Sequence, residues 1–256
     1  MWHEVQLEVN GLAYAARYSD AAYRQVLRPL LDLLVETHRA HEGRTIVFFA
    51  GPPAAGKSTI ALLLEKFAHS VEGCDLQCVG LDGFHHTNAY LRSHTIAQAG
   101  NTIPLSQIKG APETFDTQAF AQALDRLRSQ DSVSWPVYDR VTHEPLSDAL
   151  LVNAPIVLIE GNWLLLNQHP WKELVEKVDL TVALLADEKI LRGRALSRKV
   201  RGGATEEEAA GHYERADGPN IRLVLNRSLP AAFTMWLGAD GDLTLSDGGL
   251  SQAGCQ

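Results

Sequence analysis

Three cysteines in 256 residues, an odd and low number, exclude a disulfide framework and point to a reducing compartment. No apolar run approaches the length of a membrane span. The opening Met1-Trp2-His3-Glu4-Val5 has neither the charged n-region nor the apolar core of a secretory leader, so the expected location is cytoplasmic. A basic excess is also missing. The 23 Lys and Arg stand against 31 Asp and Glu, and a net charge of −8 argues against a general nucleic-acid binder. Phosphate ligands are not excluded, because basic residues can be concentrated locally. There is no internal repeat and no low-complexity linker. What remains is an ordinary globular composition, 45% hydrophobic and 21% charged, with residues enough for a sizeable core.

The most informative stretch present is Gly51-Pro52-Pro53-Ala54-Ala55-Gly56-Lys57-Ser58. It follows the apolar run Thr45–Ala50 and leads into Thr59-Ile60-Ala61-Leu62-Leu63-Leu64, which reads as a helix. Strand, glycine-bounded loop and helix is the context in which a G-x-x-x-x-G-K-[ST] match has a mechanism. Backbone N–H groups of the loop and the helix N-terminus cradle phosphate oxygens. Gly51, Ala54, Ala55, Gly56, Lys57, Ser58 and Thr59 are therefore the expected nucleotide-binding residues. Lys57 reaches the β- and γ-phosphates, and the Ser58 hydroxyl sits on Mg²⁺.

The rest of the chain reads as strands alternating with helices, hence a doubly wound, mostly parallel α/β sheet. Residues 3–18 alternate about Asn10-Gly11 as a hairpin. A helix follows from Asp20 to about His41, with a kink or break expected at Pro29. Leu76–Leu81, Ser132–Tyr138, Ile156–Gly161 and Leu180–Leu185 read as strands, and Thr117–Ser129 as a helix. Residues 87–115 read as an irregular lid or substrate loop. Asp187 to about Val200 is a helix rich in Arg and Lys, and Thr205–Glu208 is a capping box that opens another. A last strand or hairpin covers Arg227–Leu237 and Gly241–Leu245. The implied organisation is an N-terminal hairpin and helix over 1–42, a nucleotide domain over 43–246 and a loose tail over 247–256. Acceptor loops fall at 83–115 and 138–145, and a helical lid at 187–212.

In an open α/β sheet, ligands bind at the carboxyl ends of the strands. Apolar strands deliver Lys57/Ser58, Asp82 and Glu160 there. Phosphoryl transfer to an alcohol needs a metal, charge clamps and a carboxylate to take the hydroxyl proton. Asp82 is the candidate base, on a strand expected beside the P-loop strand, and Glu160 stands where a carboxylate would hold the Mg²⁺ shell. The expected metal set is thus Ser58, Asp82 and Glu160. Six basic residues between Lys189 and Arg201, against Asp187 and Glu188, reverse the chain's overall charge locally. Arg194, Arg198 and Arg201 share one helical face that could close over a triphosphate. Cys74, Cys78, His85 and His86 as a zinc set is disfavoured, because Cys78 lies inside a strand.

With these residues assembled, the sequence resembles the P-loop kinases that include uridine kinase, phosphoribulokinase and bacterial type I pantothenate kinase. Within them it is most similar to bacterial proteins of the nucleoside/nucleotide kinase or fructose transport system kinase kind. The segments carrying the resemblance are GPPAAGKST, LDGFHH, KGAPETFD (109–116), WPVYDR (135–140), IEGNWLLL (159–166), RKVRGG (198–203) and RADGPNIRLV (215–224). The resemblance implies a three-layer P-loop fold with a helical lid. It implies that Asp82 serves as base or metal ligand, and that Phe84, His85, Lys109, Tyr138, Asp139, Arg140 and Glu160 line the acceptor site. Arg194 and Arg198 become the lid arginines, and Asn220 lies near the adenine edge. Pro53-Ala54-Ala55 stands where relatives often carry glycine, which makes this loop stiffer.

The expected activity is ATP- and Mg²⁺-dependent phosphorylation of a hydroxyl on a small metabolite, leaning to a sugar such as fructose. A pantothenate- or nucleoside-type kinase is the alternative within the class, and a nucleotide-dependent switch without a small acceptor is the alternative outside it. A signalling GTPase is disfavoured because no N/T-K-x-D segment occurs. The expected partner is a small-molecule acceptor, with no nucleic acid and no membrane. The oligomeric state is left open, a homodimer among the options.

Overall fold

The computed structural model describes residues 1–9, 12–98 and 100–245. The chain opens on strands β1 (Trp2–Val9) and β2 (Leu12–Ser19), paired antiparallel with Val9 opposite Leu12. The Asn10-Gly11 turn itself lies outside the described residues, as does the proposed tail at 247–256. A short helix α1 (Asp20–Ala22) passes through a π turn, Tyr23–Leu27, into α2 (Arg28–Arg39). The interruption expected at Pro29 is therefore a π turn, not a break. The Arg28 N–H reaches back five residues to Tyr23 O, and the widened turn makes room for a proline ring that clashes with an ordinary α-helical turn. The same device recurs at Tyr213–Asp217, where the Gly218 N–H bonds Tyr213 O just before Pro219.

Strand β3 (Thr45–Ala50) is buried along its whole length and feeds the P-loop and then α3 (Lys57–Ala68). Strand β4 (Leu76–Gly80) ends in the 3₁₀ turn Leu81–Phe84, which holds Asp82. Residues 87–115 are more ordered than the turn residues suggest. They contain α4 (Asn88–Ser93), capped by the Thr87 hydroxyl, and the antiparallel pair β5 (Thr95–Gln98) and β6 (Asn101–Pro104). After α5 (Thr117–Ser129), β7 (Val133–Asp139) does not join the main sheet. It pairs with β8 (Glu144–Val152), a strand that sequence reading does not anticipate, in a separate antiparallel ribbon. Next come β9 (Ile156–Gly161), the short α6 (Trp171–Leu174) and β10 (Leu180–Leu185). Helices α7 (Glu188–Arg201), α8 (Glu206–His212) and α9 (Gly218–Arg227) follow. The capping box forms, with Thr205 Oγ1 accepting from the Glu208 N–H and Glu208 Oε2 from the Thr205 N–H. Residues 227–232 are not strand. Helix α9 runs to Arg227, and only β11 (Phe233–Leu237) with β12 (Leu243–Leu245) forms the final hairpin.

The six-stranded sheet has the order β12-β11-β10-β3-β9-β4 and is parallel except for β12. Alternate side chains of β3 enter two cores, as the two-residue period of a strand requires. Val47 and Phe49 pack with Leu30, Leu34, Leu63 and Leu191 on one face. Ile46 and Phe48 pack with Phe120, Leu124 and Trp135 on the other. The result is three layers. Strand β4 pairs with β9, not with β3, so Glu160 lies between the P-loop and Asp82. The expected adjacency of Asp82 to the P-loop strand is corrected to a separation of one strand.

Gly83 fixes the Asp82 turn against β7. A Cβ there would lie 2.1 Å from the carbonyl oxygen of Pro136, backbone that cannot move without shifting the ribbon. Gly83→Ala is expected to lower the unfolding free energy by about 1–3 kcal/mol, as overpacking does, read from the shift of the denaturant midpoint.

Candidate active site

The phosphate cradle starts where β3 ends. At Gly51 the chain passes so close to β10 that a Cβ would lie 2.4 Å from Leu184 O. Gly56 has φ of 103°, and Ala54 has φ of 66°. The left-handed region is natural for glycine and costs alanine about 1 kcal/mol or more. Ala54 thus holds a conformation that favours glycine, and the Arg194 Nε donates to its carbonyl at 2.9 Å.

Lys57 is buried at the start of α3. Its Nζ donates to Pro52 O at 3.0 Å and to Asn162 Oδ1 at 2.7 Å. Burial pulls its pKa down to about 8, against the opposing pull of Glu160 and Asp82. The neighbouring Ser58 hydroxyl donates to Glu160 Oε1 at 2.7 Å, and burial raises the Glu160 pKa. The register explains the meeting, since Phe49 stands beside Glu160 and Glu160 beside Gly80 across three neighbouring strands.

Asp82 forms an ion pair with Arg140, Nη2 to Oδ2 at 3.0 Å, with both groups substantially exposed. The His85 Nδ1 lies 2.8 Å from Asp82 O. A carbonyl only accepts, so Nδ1 carries the proton, and burial favours the neutral ring by lowering its pKa. The His85 ring packs on Phe115 and stands 5.1 Å from the Tyr138 ring. Tyr138 has two cationic neighbours, Lys109 Nζ at 5.3 Å and Arg140 Cζ at 5.9 Å from its centroid. Lys109 is steadied by Asn88 Oδ1 and by His143 O.

Two residues expected to touch an acceptor do other work. Phe84 is buried in the core, tilted against Phe120 and edge-on to Trp135. Asp139 caps its own turn, Oδ1 accepting from the Val141 N–H and Oδ2 from the Thr142 hydroxyl. Asn220 donates from Nδ2 to Gly110 O at 3.4 Å beside the Trp163 indole N–H. The two arginines expected in the lid diverge. Arg194 meets the P-loop, whereas Arg198 lies 3.5 Å from Asp217 while still close enough to depress the Lys57 pKa.

Several neighbours of these groups escape sequence reading. Asn162 could have been found, since it stands two residues past Glu160 at the mouth of an apolar strand. Asn88 and Glu144 carry no local signal, and they meet because Glu144 accepts from the Asn88 N–H. A cavity of about 190 Å³ opens beside the P-loop, lined among others by Trp2, Arg17, Thr59, Ile60, Arg194 and Asp240. Its walls come from the N-terminal hairpin and the β11–β12 turn, whose distance in sequence hides them.

The three-layer sheet, with a Lys-Ser phosphate loop at the carboxyl end of its central strand, is the fold of the P-loop kinases. The chain belongs to the Phosphoribulokinase / Uridine kinase family, which it matches over residues 46–217. It is 39% identical over 240 residues, 93% of this chain and 97% of the other, to the uncharacterized protein YggC of Escherichia coli K12. It is 28% identical, over 80% of this chain and 86% of the other, to "putative uridine kinase C227.14" of Schizosaccharomyces pombe. Among solved structures it resembles a "putative fructose transport system kinase" of Silicibacter sp. TM1040. That likeness has a TM-score of 0.74 and 30% identity, and covers 82% of this chain and 98% of the other. No helix among the described residues is long and apolar enough to cross a membrane.

The reassignment of Phe84 has a measurable consequence. Phe84→Ala is expected to cost about 3–5 kcal/mol of stability, the range for emptying a buried aromatic site, and chemical denaturation reads it directly.

Proposed function

We propose that the chain is an ATP- and Mg²⁺-dependent kinase that transfers the γ-phosphoryl group to a hydroxyl of a small polyhydroxylated metabolite, with a sugar such as fructose the first acceptor to try. The observation that carries this reading is the row Lys57/Ser58, Glu160 and Asp82 at the ends of three neighbouring strands, with a cluster of polar and charged side chains beside Asp82. A switch protein needs the first two and has no use for the third. The lean to fructose rests on the description of one structural relative.

The oxygen donors suit Mg²⁺. Ser58, Glu160 and Asp82 would hold it, and among the described residues no group of three or more His, Cys, Asp or Glu stands together. Mg²⁺ keeps waters and phosphate oxygens in its shell and does not use an all-protein cage. When bound, it neutralises charge on the β- and γ-phosphates. Lys57 exchanges the Pro52 carbonyl for phosphate oxygens, and Arg194, already on the loop, adds positive charge beside them. The Asp82 carboxylate takes the proton of the acceptor hydroxyl as its oxygen bonds to the γ-phosphorus and the bond to the bridging oxygen of ADP breaks. The nucleoside extends past Thr59 into the cavity at Trp2 and Asp240, because Lys57 reaches the β- and γ-phosphates and the loop amides take the α side.

Release of ADP with and without sugars, sugar acids, nucleosides and pantothenate tests the reading. Acceptor-dependent release is expected, and a low rate indifferent to every acceptor would favour the switch. Asp82→Asn should lower kcat by about 10²–10⁴-fold while nucleotide still binds; full activity in that variant would assign the proton elsewhere. Lys57 adds a pH signature. Its free-state pKa of about 8 means that above this pH the free protein must gain a proton to meet the triphosphate. Nucleotide affinity is therefore expected to hold below pH 8 and to weaken by up to about tenfold per pH unit above it. Titration calorimetry should record the matching proton uptake, absent in Lys57→Met.

A further inference from the structure

The side-chain cluster beside Asp82 is rich in charge. Lys109 and Arg140 share the Tyr138 ring, and burial lowers the Lys109 pKa, with Glu144 opposing that shift and Arg92 adding to it. The acidic groups nearby are hydrogen-bonded to neutral partners, and Glu144 also attracts Lys109. Glu144 accepts from the Asn88 N–H through both oxygens, and Asp139 is tied into its own turn. Lys109 is held by the Asn88 side-chain carbonyl and the His143 carbonyl, neutral oxygens that aim the ammonium without cancelling its charge. Arg140 meets Asp82 through one nitrogen, at a site where both side chains are about two-fifths to one-half exposed. Exposed single-toothed pairs of this kind contribute little and part easily. A bidentate carboxylate or phosphate partner suits a guanidinium better.

We propose that the acceptor is anionic, carrying a carboxylate or phosphate group that Lys109 and Arg140 bind together, and that its arrival draws Arg140 off Asp82. The inference rests on the kinase reading and narrows its acceptor class from polyols in general to their acids or phosphate esters. It also gives the Arg140–Asp82 pair a task. Without acceptor, Arg140 occupies the carboxylate that would activate a hydroxyl. An anion at Lys109 offers the guanidinium a second partner, and Asp82 is freed where the substrate hydroxyl arrives. Neutral sugars lack the group that makes this exchange. Arg140 is thus a positioning residue for Asp82 as well as a ligand for the anion.

The test is ADP release by the full chain with MgATP and matched acceptors: glycerol, glycerate and glycerol phosphate; glucose, gluconate and glucose 6-phosphate; fructose and its monophosphates. At least one acid or phosphate ester is expected to exceed its neutral parent about 10- to 100-fold in kcat/KM, the range for a charge-assisted contact. The carboxylate and phosphate arms identify which anion fits. Arg140→Gln should remove that advantage through the KM of the anion and raise acceptor-independent ADP release, because Asp82 loses its resting partner. Lys109→Met should remove the advantage without that rise, and it carries the charge test if Arg140→Gln fails to fold. Neutral parents equal to or better than their anions would overturn the inference and leave the kinase reading standing. Variants that depress neutral and anionic acceptors alike would overturn it too. No response to any compound would sink the kinase reading, and this inference with it.

Discussion

The pairing of three parallel strands, β3 with β9 and β9 with β4, is the constraint on which the site depends. Strands β3 and β9 are nearly continuous in apolar side chains, so burial on both faces of the sheet fixes their register, and edge strand β4 adds buried Leu76 and Val79. A shift of one residue would exchange the two cores. It would also turn Glu160 away from Ser58. The same hydrophobic contacts that stabilise the sheet therefore hold the P-loop hydroxyl and the β9 carboxylate 2.7 Å apart. The polar site is a by-product of apolar registration, and it has the rigidity of the core beneath it.

What the sheet does not fix is supplied by segments laid against its edges. The β7–β8 ribbon approaches the Asp82 turn at Gly83 and sends the Trp135 indole N–H to Gly80 O. It also brings Arg140 to Asp82 and Tyr138 to His85. The N-terminal hairpin approaches from the opposite flank, its Tyr18 edge-on to Phe67 of α3 together with Tyr23 of the following π turn. The Ser19 hydroxyl donates to Asp242 and joins the hairpin to the β11–β12 turn. Both of these segments lie outside the 46–217 stretch that matches the family. They wall the cavity at Thr59, so the part of the chain that reads as an appendage borders the phosphate loop.

The sequence makes the sheet and the P-loop legible because both are encoded locally, by apolar runs and by a loop whose chemistry is mostly backbone. The cluster beside Asp82 is less legible, because its members meet only after folding. Phe84 and Asp139 sit inside motif segments, yet one points into the core and the other folds back on its own turn. A motif match cannot distinguish a residue that touches a ligand from one that supports its neighbour. Pro29 misleads for another reason. Proline forbids an α-helical hydrogen bond, but a single π turn satisfies the geometry without ending the helix, and nothing in the composition of Tyr23–Leu27 announces it. Ribbon β7–β8 escapes because β8 is largely exposed and lacks the apolar run that marks the core strands.

Lys57 and Asp82 have opposite electrostatic situations, and the difference orders their work. Lys57 is buried among neutral oxygens, so its charge is costly until a triphosphate arrives, and the nucleotide site is a place where positive charge awaits a partner. Asp82 is exposed and already paired. In the proposed reaction it would need a partner removed, not supplied, before acting on a hydroxyl. Donor binding would then satisfy one buried charge, while acceptor binding would uncouple an exposed pair, so the two half-sites would respond to different ligands.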